Sequence, residues 1–394
     1  MPAARATPSA ERPYNRKVMK QVDVLVRGAG IVGQSVALAL GRLGLSVALR
    51  PDPPRADASP DVRAYALNAG SVNLMRTLKV WDELPAGAAT PVYDMHVQGD
   101  AHDGRAGGTI AFSAWEQQVG ELAWIVDAAV LERELANAVR FAPHVDRLAP
   151  NQPDPPAALT ALCEGKASAS REALGVVFDR QDYGHSAIAA RLTTTQPHQG
   201  IARQWFRSPD VLALLPFDTP QAGSSYALVW SLPRERAQAL LALGAPAFDA
   251  ELAQATGGAA GELALVSERA AWPLMLARAS AWSGPGWVLL GDAAHVVHPL
   301  AGQGLNLGLA DVATLARVLA EREPWRTIAD PKLLRRYARE RALPTWAMGQ
   351  LTDGLLQLFA QPTPLVRELR NRGLTLVNSL SPVKRWLTAR ALDA

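Results

Sequence analysis

Cysteine is nearly missing from this 394-residue chain, with Cys163 the only one. An internal disulfide framework and a cysteine-built zinc cluster are thereby excluded, and the usage fits a reducing, cytoplasmic setting. Long apolar runs are missing too. None approaches the ~18 residues needed to cross a bilayer, and the basic start lacks the apolar stretch of a secretion signal. Charge is nearly balanced, at a formal +3, and no stripe of Lys and Arg interleaved with aromatics offers a footprint for nucleic acid. No internal repeat is visible. What is present is an ordinary globular composition, 48% hydrophobic and 20% charged, in a chain long enough for two domains or one composite one. Residues 1–18 are rich in Ala, Pro and Arg without periodicity and read as a disordered extension, with Met19 a natural start.

The first periodic segment is a short apolar strand at residues 22–26, followed by Gly28, Gly30 and Gly33 in the spacing GxGxxG. A small-residue helix over 34–43, a stop at Gly44 and a second strand at 45–49 complete a βαβ opening. In that context each glycine has a task. The first makes the tight turn, the second lets backbone approach a pyrophosphate, and the third lets helix pack on strand. An acidic residue to hold a ribose is expected at the end of the second strand. Arg50 and Pro51 stand there instead, and Asp52 is the nearest acid.

The second informative stretch is GDAAHVVHPLAGQGLNLG at 291–308. The apolar run Trp287-Val288-Leu289-Leu290 stops at Gly291-Asp292, and Gly302 and Gly304 precede a helical pattern through Leu305, Leu309 and Val312. This is a buried strand that delivers one carboxylate at its end, then a loop entering a helix whose N-terminus suits an anionic group.

Between the two motifs the pattern predicts helices over 69–78, 129–139 and 237–243. Weak alternation marks 92–113, a Pro-rich connection spans 149–158, and strands fit 186–193, 201–206, 211–217 and 225–232. A Gly/Ala linker is expected at 254–261, and helix dominates from Asp311 onward. The order predicts an α/β fold: a Rossmann-like nucleotide-binding domain assembled from distant pieces, with a mixed sheet domain inserted and a helical C-terminal tail. The pieces are 19–91, 120–180 and 280–340 for the nucleotide-binding part, 92–119 and 181–279 for the inserted sheet, and 341–394 for the tail.

These motifs together resemble the FAD-dependent aromatic hydroxylases (p-hydroxybenzoate-hydroxylase-like flavoprotein monooxygenases), and within them the ubiquinone-biosynthesis hydroxylases of the UbiH/VisC type. The family's second FAD motif is matched in full over residues 291–306. Its Asp-x-Arg-x-x-Ala-Leu segment is matched by Asp61, Arg63, Ala66 and Leu67. Asp182-Tyr183-Gly184, Leu214-Leu215-Pro216, Trp272-Pro273-Leu274 and Tyr337 with Arg341 fit as well. The resemblance runs from about residue 20 to the end. It implies a glutathione-reductase-type FAD-binding domain, FAD as cofactor, NAD(P)H as co-substrate, and O2 with a prenylated phenol as substrates. Hydroxylation would go through a flavin C4a-hydroperoxide. Cofactor contacts would come from Gly28, Gly30, Gly33, Asp52, Arg63, Glu164, Gly165, Gly291, Asp292, Gly302, Gln303, Gly304, Leu305 and Asn306, with Pro299 and Leu300 near the ring. Glu164 stands where the family has aspartate, and the segment 141–160 is shorter than usual.

Other readings stand beside these. Asp292 could cap a helix. His295 and His298 could form a metal pair, although no third ligand is evident and no metal is expected. Cys163 reads as an inert core thiol. Trp124, Trp205 and Trp230 could line an aromatic pocket or sit in the core, as could Tyr183. The basic, apolar residues 365–391 could lie on a membrane, at the inner face, or pack on the body. For function, three readings remain: hydroxylase of a polyprenylated phenol, hydroxylase of a soluble phenol, or a non-catalytic scaffold in a ubiquinone-biosynthesis complex.

Overall fold

The computed structural model describes residues 21–53, 61–99, 107–297 and 303–360. The expected extension at 1–18, the tail from 365, and His298, Pro299, Leu300 and Gly302 lie outside the described residues.

A six-stranded sheet forms the base. Its central strand, Val22–Arg27, pairs in parallel with Val47–Arg50 on one side and with Ala157–Leu162 on the other. Val145–Arg147 extends the first side, while Trp287–Leu289 and then Ser283–Gly284 extend the second. These strands are near-continuous apolar runs because both faces are covered, as parallel strands require. The helices Ile31–Gly41 and Ala128–Phe141 pack against each other on this body. In the latter, Leu131, Leu135 and Val139 are buried at a four-residue spacing, and the Asp127 carboxylate accepts from the Val130 N–H to cap its start.

A second sheet has nine strands among the described residues, built around Phe178–Thr194, Ser225–Pro233, Asp210–Phe217 and Ile201–Arg207. Alternation divides its faces. Ile188, Leu192, Leu214, Leu228 and Trp230 are buried with Phe248 and Leu252 in a core of their own. Residues of opposite parity, such as Ala187, Ala189 and Ala213, turn to the other face. A three-stranded sheet of Ala64–Leu67, Ala123–Asp127 and Ala89–Val92 lies outside both.

Two segments differ from the sequence pattern. The first helix starts at Ile31 rather than residue 34, because Gly30 is its N-cap and the fingerprint's own Ile31-Val32-Gly33 are already helical. The expected linker at 254–261 begins inside a helix, Ala245–Thr256, which buries Phe248, Leu252 and Thr256 at four-residue spacing. Small Ala-rich turns obscured that period, and only Gly257, at φ +61°, ends it.

The short crossover from Val145–Arg147 to Ala157–Leu162 has its own fastening. Arg50 donates from Nε to Asp154 Oδ1 at 2.7 Å and from Nη1 to the Ala149 carbonyl at 2.7 Å, and it also reaches the Gln152 carbonyl. Arg27 donates to the other oxygen of Asp154 and to Ser170 Oγ. The unusual Arg50 and the shortened crossover are therefore one structural unit. Burial would raise the Asp154 carboxyl, but Arg50 and Arg27 outweigh it and hold the group below its ordinary value. Its contribution to stability is thus present above the ordinary carboxylate range and lost as pH falls through the lowered value. Asp154→Ala is expected to lower the unfolding free energy by about 1–3 kcal/mol, read from the urea midpoint at neutral pH. An unchanged midpoint would mean that other contacts hold the crossover.

Candidate active site

The C-terminal ends of the parallel strands bring Arg27-Gly28, Arg50, Cys163-Glu164 and Gly291-Asp292 to one edge of the sheet. The chain leaves Val22–Arg27 toward one side and returns to it on the other, so the switch point lies between Gly28 and Cys163, where open α/β sheets bind ligands. Contact there is tight. Gly28 has φ +97°, and a Cβ on it would lie 2.4 Å from the Cys163 carbonyl oxygen. A Cβ on Gly33 would lie 1.8 Å from the Gly28 carbonyl oxygen, whereas nothing stands within 4 Å of a Cβ on Gly30. The first and third glycines are thus closed by protein, and the middle one faces open space. Beside it a cavity of about 320 Å³ is lined by Ala29, Gln34, Asp61, Glu132, Arg133 and Arg147, among others.

The second motif is packed directly on the first. Val32 of the fingerprint fits against Gly291 and Gly308, where added Cβ atoms would lie 3.2 Å and 2.9 Å from its methyls. Gly291 itself has φ +58°. Water reaches the Asp292 side chain, yet protein surrounds it on nearly every side. The side chain is thus open to solvent at a point where protein is dense around it. That crowding pushes its carboxyl above the ordinary value, against the opposing pull of His295, Lys166 and Arg63.

Arg63 joins several elements at this point. Its Nε and Nη2 donate to the Asp61 carboxylate at 2.7 and 2.6 Å, and its guanidinium stands 5.7 Å from the Tyr65 ring and 5.9 Å from that of Trp272. Its carbonyl accepts from Arg191 of the nine-stranded sheet at 2.8 Å. Arg191 also reaches Asp127 at 3.2 Å and lies 4.0 Å over the Phe217 ring. Burial pushes the Tyr65 phenol up to about 12, with Arg63 pulling against it.

The remaining expected residues are placed as follows. Asp52 is exposed beyond the second strand. Glu164 accepts from Ser168 Oγ at 2.6 Å and from Ser170 N and Oγ at 3.1 and 2.7 Å, so it braces the start of the helix Ala169–Ala173, which Ser168 caps, and it stands 4.0 Å from Arg27. Gly165, at φ +73°, has open space around it. Gln303, Gly304, Leu305 and Asn306 open the helix Gln303–Ala320. The Asn306 side chain is committed to protein: its amide donates to the Ala66 carbonyl at 2.8 Å, and its oxygen accepts from Asn68 N and Ser71 Oγ. What this residue presents elsewhere is backbone.

Several neighbouring readings are resolved by contacts. His295 lies 2.7 Å from Asp311 and stacks on Trp282, with centroids 4.9 Å apart. Trp205 and Trp230 are core residues, and Trp124 meets Trp81 edge-on. Cys163 is buried, and burial raises its thiol far from ionisation at neutral pH. Asp311, Arg341, Asp154 and Arg191 escaped the sequence reading. Only the Tyr337/Arg341 spacing gave any signal, because a buried charge is recognised by its partner and not by its neighbours in the chain.

The residues fit a bound dinucleotide: two glycines closed by protein, an open one between them, a helix N-terminus and a solvent-reached carboxylate. Comparison with known proteins agrees. Residues 155–352 match the FAD binding domain family. The chain is 30% identical to the ubiquinone hydroxylase UbiL of Rhodospirillum rubrum, over 99% of this chain and 94% of that protein. It is 28% identical to the 3-demethoxyubiquinol 3-hydroxylase of Escherichia coli, over 94% and 98%. The fold is shared with Klebsiella pneumoniae HpxO crystallised with FAD and uric acid, at a TM-score of 0.72 and 19% identity over 95% of this chain and 97% of that one. The chain therefore belongs to the FAD binding domain family of flavoprotein monooxygenases. It is an FAD-dependent monooxygenase of the hydroxylase type, and NAD(P)H is the reductant typical of that class.

Proposed function

We propose that this enzyme hydroxylates the ring of a polyprenylated phenol on the route to ubiquinone. The observation that carries the reading is the match along 99% of the chain to a protein named ubiquinone hydroxylase. Bound FAD would supply the redox chemistry, carrying electrons from NAD(P)H and passing one oxygen atom of O2 to the ring.

The chain's own residues would hold and orient the cofactor. Gly30 would receive the pyrophosphate at the switch point, with Gly28 and Gly33 shaping the turn and the helix packing beneath it, Glu164 and Gly165 beside it and Asp52 reaching the ribose. Asp292 accepts hydrogen bonds from the ribityl hydroxyls. Backbone N–H groups at Gln303, Gly304, Leu305 and Asn306 stabilise negative charge on the pyrimidine end of the ring. Arg63 faces the junction of both halves. The substrate would lie on the side of the nine-stranded sheet where Ala187, Ala189, Ala213 and Val229 share a face with Trp272. The domain division follows: 19–91, 120–180 and 280–340 bind FAD, while 92–119 and 181–279 bind substrate. A prenyl tail favours peripheral contact with the inner membrane or delivery within a biosynthetic complex. Among the described residues no helix is long and apolar enough to cross a membrane.

Two measurements test the reading. The purified protein reconstituted with FAD is expected to show flavin absorbance and phenol-dependent NAD(P)H oxidation. A deletion strain is expected to lose ubiquinone and accumulate an under-hydroxylated precursor. Absence of bound flavin would favour the scaffold, and a working flavoprotein with unchanged ubiquinone would favour a soluble phenol.

A further inference from the structure

Beneath the Gly291-Asp292 turn lies a buried charge cluster that the proposed chemistry does not use. Asp311, on the helix Gln303–Ala320, is fully buried. Its Oδ2 accepts from the Gly291 N–H at 2.9 Å and lies 2.7 Å from His295 Nε2. Its Oδ1 accepts from Arg341 Nε at 2.7 Å. Arg341 belongs to the helix Pro331–Ala360, is 8% exposed, and also donates to the Leu307 carbonyl at 3.2 Å. One carboxylate thus ties four segments: the turn, the short strand His295–Val296, and two helices. Burial alone would raise the Asp311 carboxyl, but His295 and Arg341 outweigh it and hold the group below its ordinary value.

The same long helix grips the strand a second time. Tyr337 donates its hydroxyl to the Leu289 carbonyl at 2.7 Å. Positions 337 and 341 are one helical turn apart and share a face. The helix therefore splints the strand end at Leu289 directly and the turn at Gly291 through Asp311. Gly291 has a left-handed φ of +58°, a conformation that surrounding contacts must hold, and Asp292 is the next residue.

We infer that Asp311 and Arg341 are positioning residues for the flavin: they fix the Gly291 turn so that Asp292 is presented to the cofactor, and they make that presentation depend on how the helix Pro331–Ala360 is seated. The inference rests on the proposed contact between Asp292 and FAD. Neither residue touches the cofactor, and their effect passes through the turn.

The test is FAD titration of the apoprotein by flavin fluorescence quenching, for Arg341→Gln, Arg341→Lys, Asp292→Asn and the double variant, with apoprotein melting measured alongside. Arg341→Gln is expected to weaken FAD binding roughly tenfold, as loss of a buried charge-assisted hydrogen bond should. Arg341→Lys keeps the charge, recovers part of that loss, and covers the case in which the glutamine variant fails to fold. The double variant is expected to lose less than the product of the two single losses, because both act on one contact. Strictly multiplicative losses, or a lower melting temperature with unchanged FAD affinity in both Arg341 variants, would overturn the inference and leave a structural salt bridge. A weakened Asp292→Asn beside unaffected Arg341 variants removes the inference alone. An unaffected Asp292→Asn removes it together with the assigned role of Asp292.

Discussion

Gly33→Ala is expected to destabilise the apoprotein by about 3 kcal/mol, the upper end of what overpacking costs, and to abolish FAD binding. The added carbon would sit 1.8 Å from the Gly28 carbonyl oxygen and 3.3 Å from Cys163 Cβ. The first of these is backbone, so no rotamer can relieve it. The helix Ile31–Gly41 would have to lift off the turn, and Val32 would carry the disturbance to Gly291 and Gly308. Gly30→Ala is the informative contrast. Its Cβ meets nothing within 4 Å, and its φ of −73° suits any residue. As an N-cap substitution it should cost the fold no more than about 1 kcal/mol. Its methyl nevertheless enters the space through which a pyrophosphate approaches, so FAD affinity is expected to fall about tenfold, in line with the loss of one charge-assisted hydrogen bond. Urea denaturation and FAD titration of both variants separate the effects. Unchanged flavin affinity in Gly30→Ala would mean that the pyrophosphate does not pass over this helix end.

That contrast also marks what could be read without coordinates. Both glycine motifs, the βαβ opening and the strand ending at Asp292 were legible, because apolar runs and glycine spacing are local signals. The strands Ile201–Arg207, Asp210–Phe217 and Ser225–Pro233 were legible for the same reason, but Ala270–Ala279 and the first half of Phe178–Thr194 were not. What holds the site was not. Arg50 looked like a defect in a ribose site, yet it pins the crossover through Asp154, about a hundred positions away in the chain. Asn306 was expected beside the cofactor, and nothing in the chain announced that its side-chain amide also stitches the second motif to Ala66 and Asn68. His295 read as a packing or hydrogen-bonding residue, but its partner Asp311, sixteen positions on, could not be named. Each is a polar group whose partner comes from another element, and no periodicity encodes that pairing.

Asp292→Asn is expected to have opposite effects on the empty fold and on cofactor binding. Crowding by protein raises the carboxyl in the folded state, more than His295, Lys166 and Arg63 can offset. A carboxyl whose folded value is raised favours the fold while protonated and loses that contribution as pH rises through the raised value. At neutral pH the Asp292 carboxyl therefore works against the apoprotein, and the asparagine variant should melt higher than the parent. The difference should close as pH falls toward the ordinary carboxylate value of about 4, where both side chains are neutral. With FAD present the order reverses. An ionised carboxylate accepts hydrogen bonds from ribityl hydroxyls more strongly than an amide oxygen, and losing one such charge-assisted bond is worth about 1.5–3 kcal/mol, or roughly ten- to a hundredfold in affinity. Parent affinity for FAD should likewise weaken as pH drops through the raised value, while that of Asp292→Asn stays flat. Paired melting curves and FAD titrations across this pH range decide the matter. A variant that melts lower than the parent at neutral pH, or binds FAD equally well, would show that Asp292 serves the fold and not the flavin.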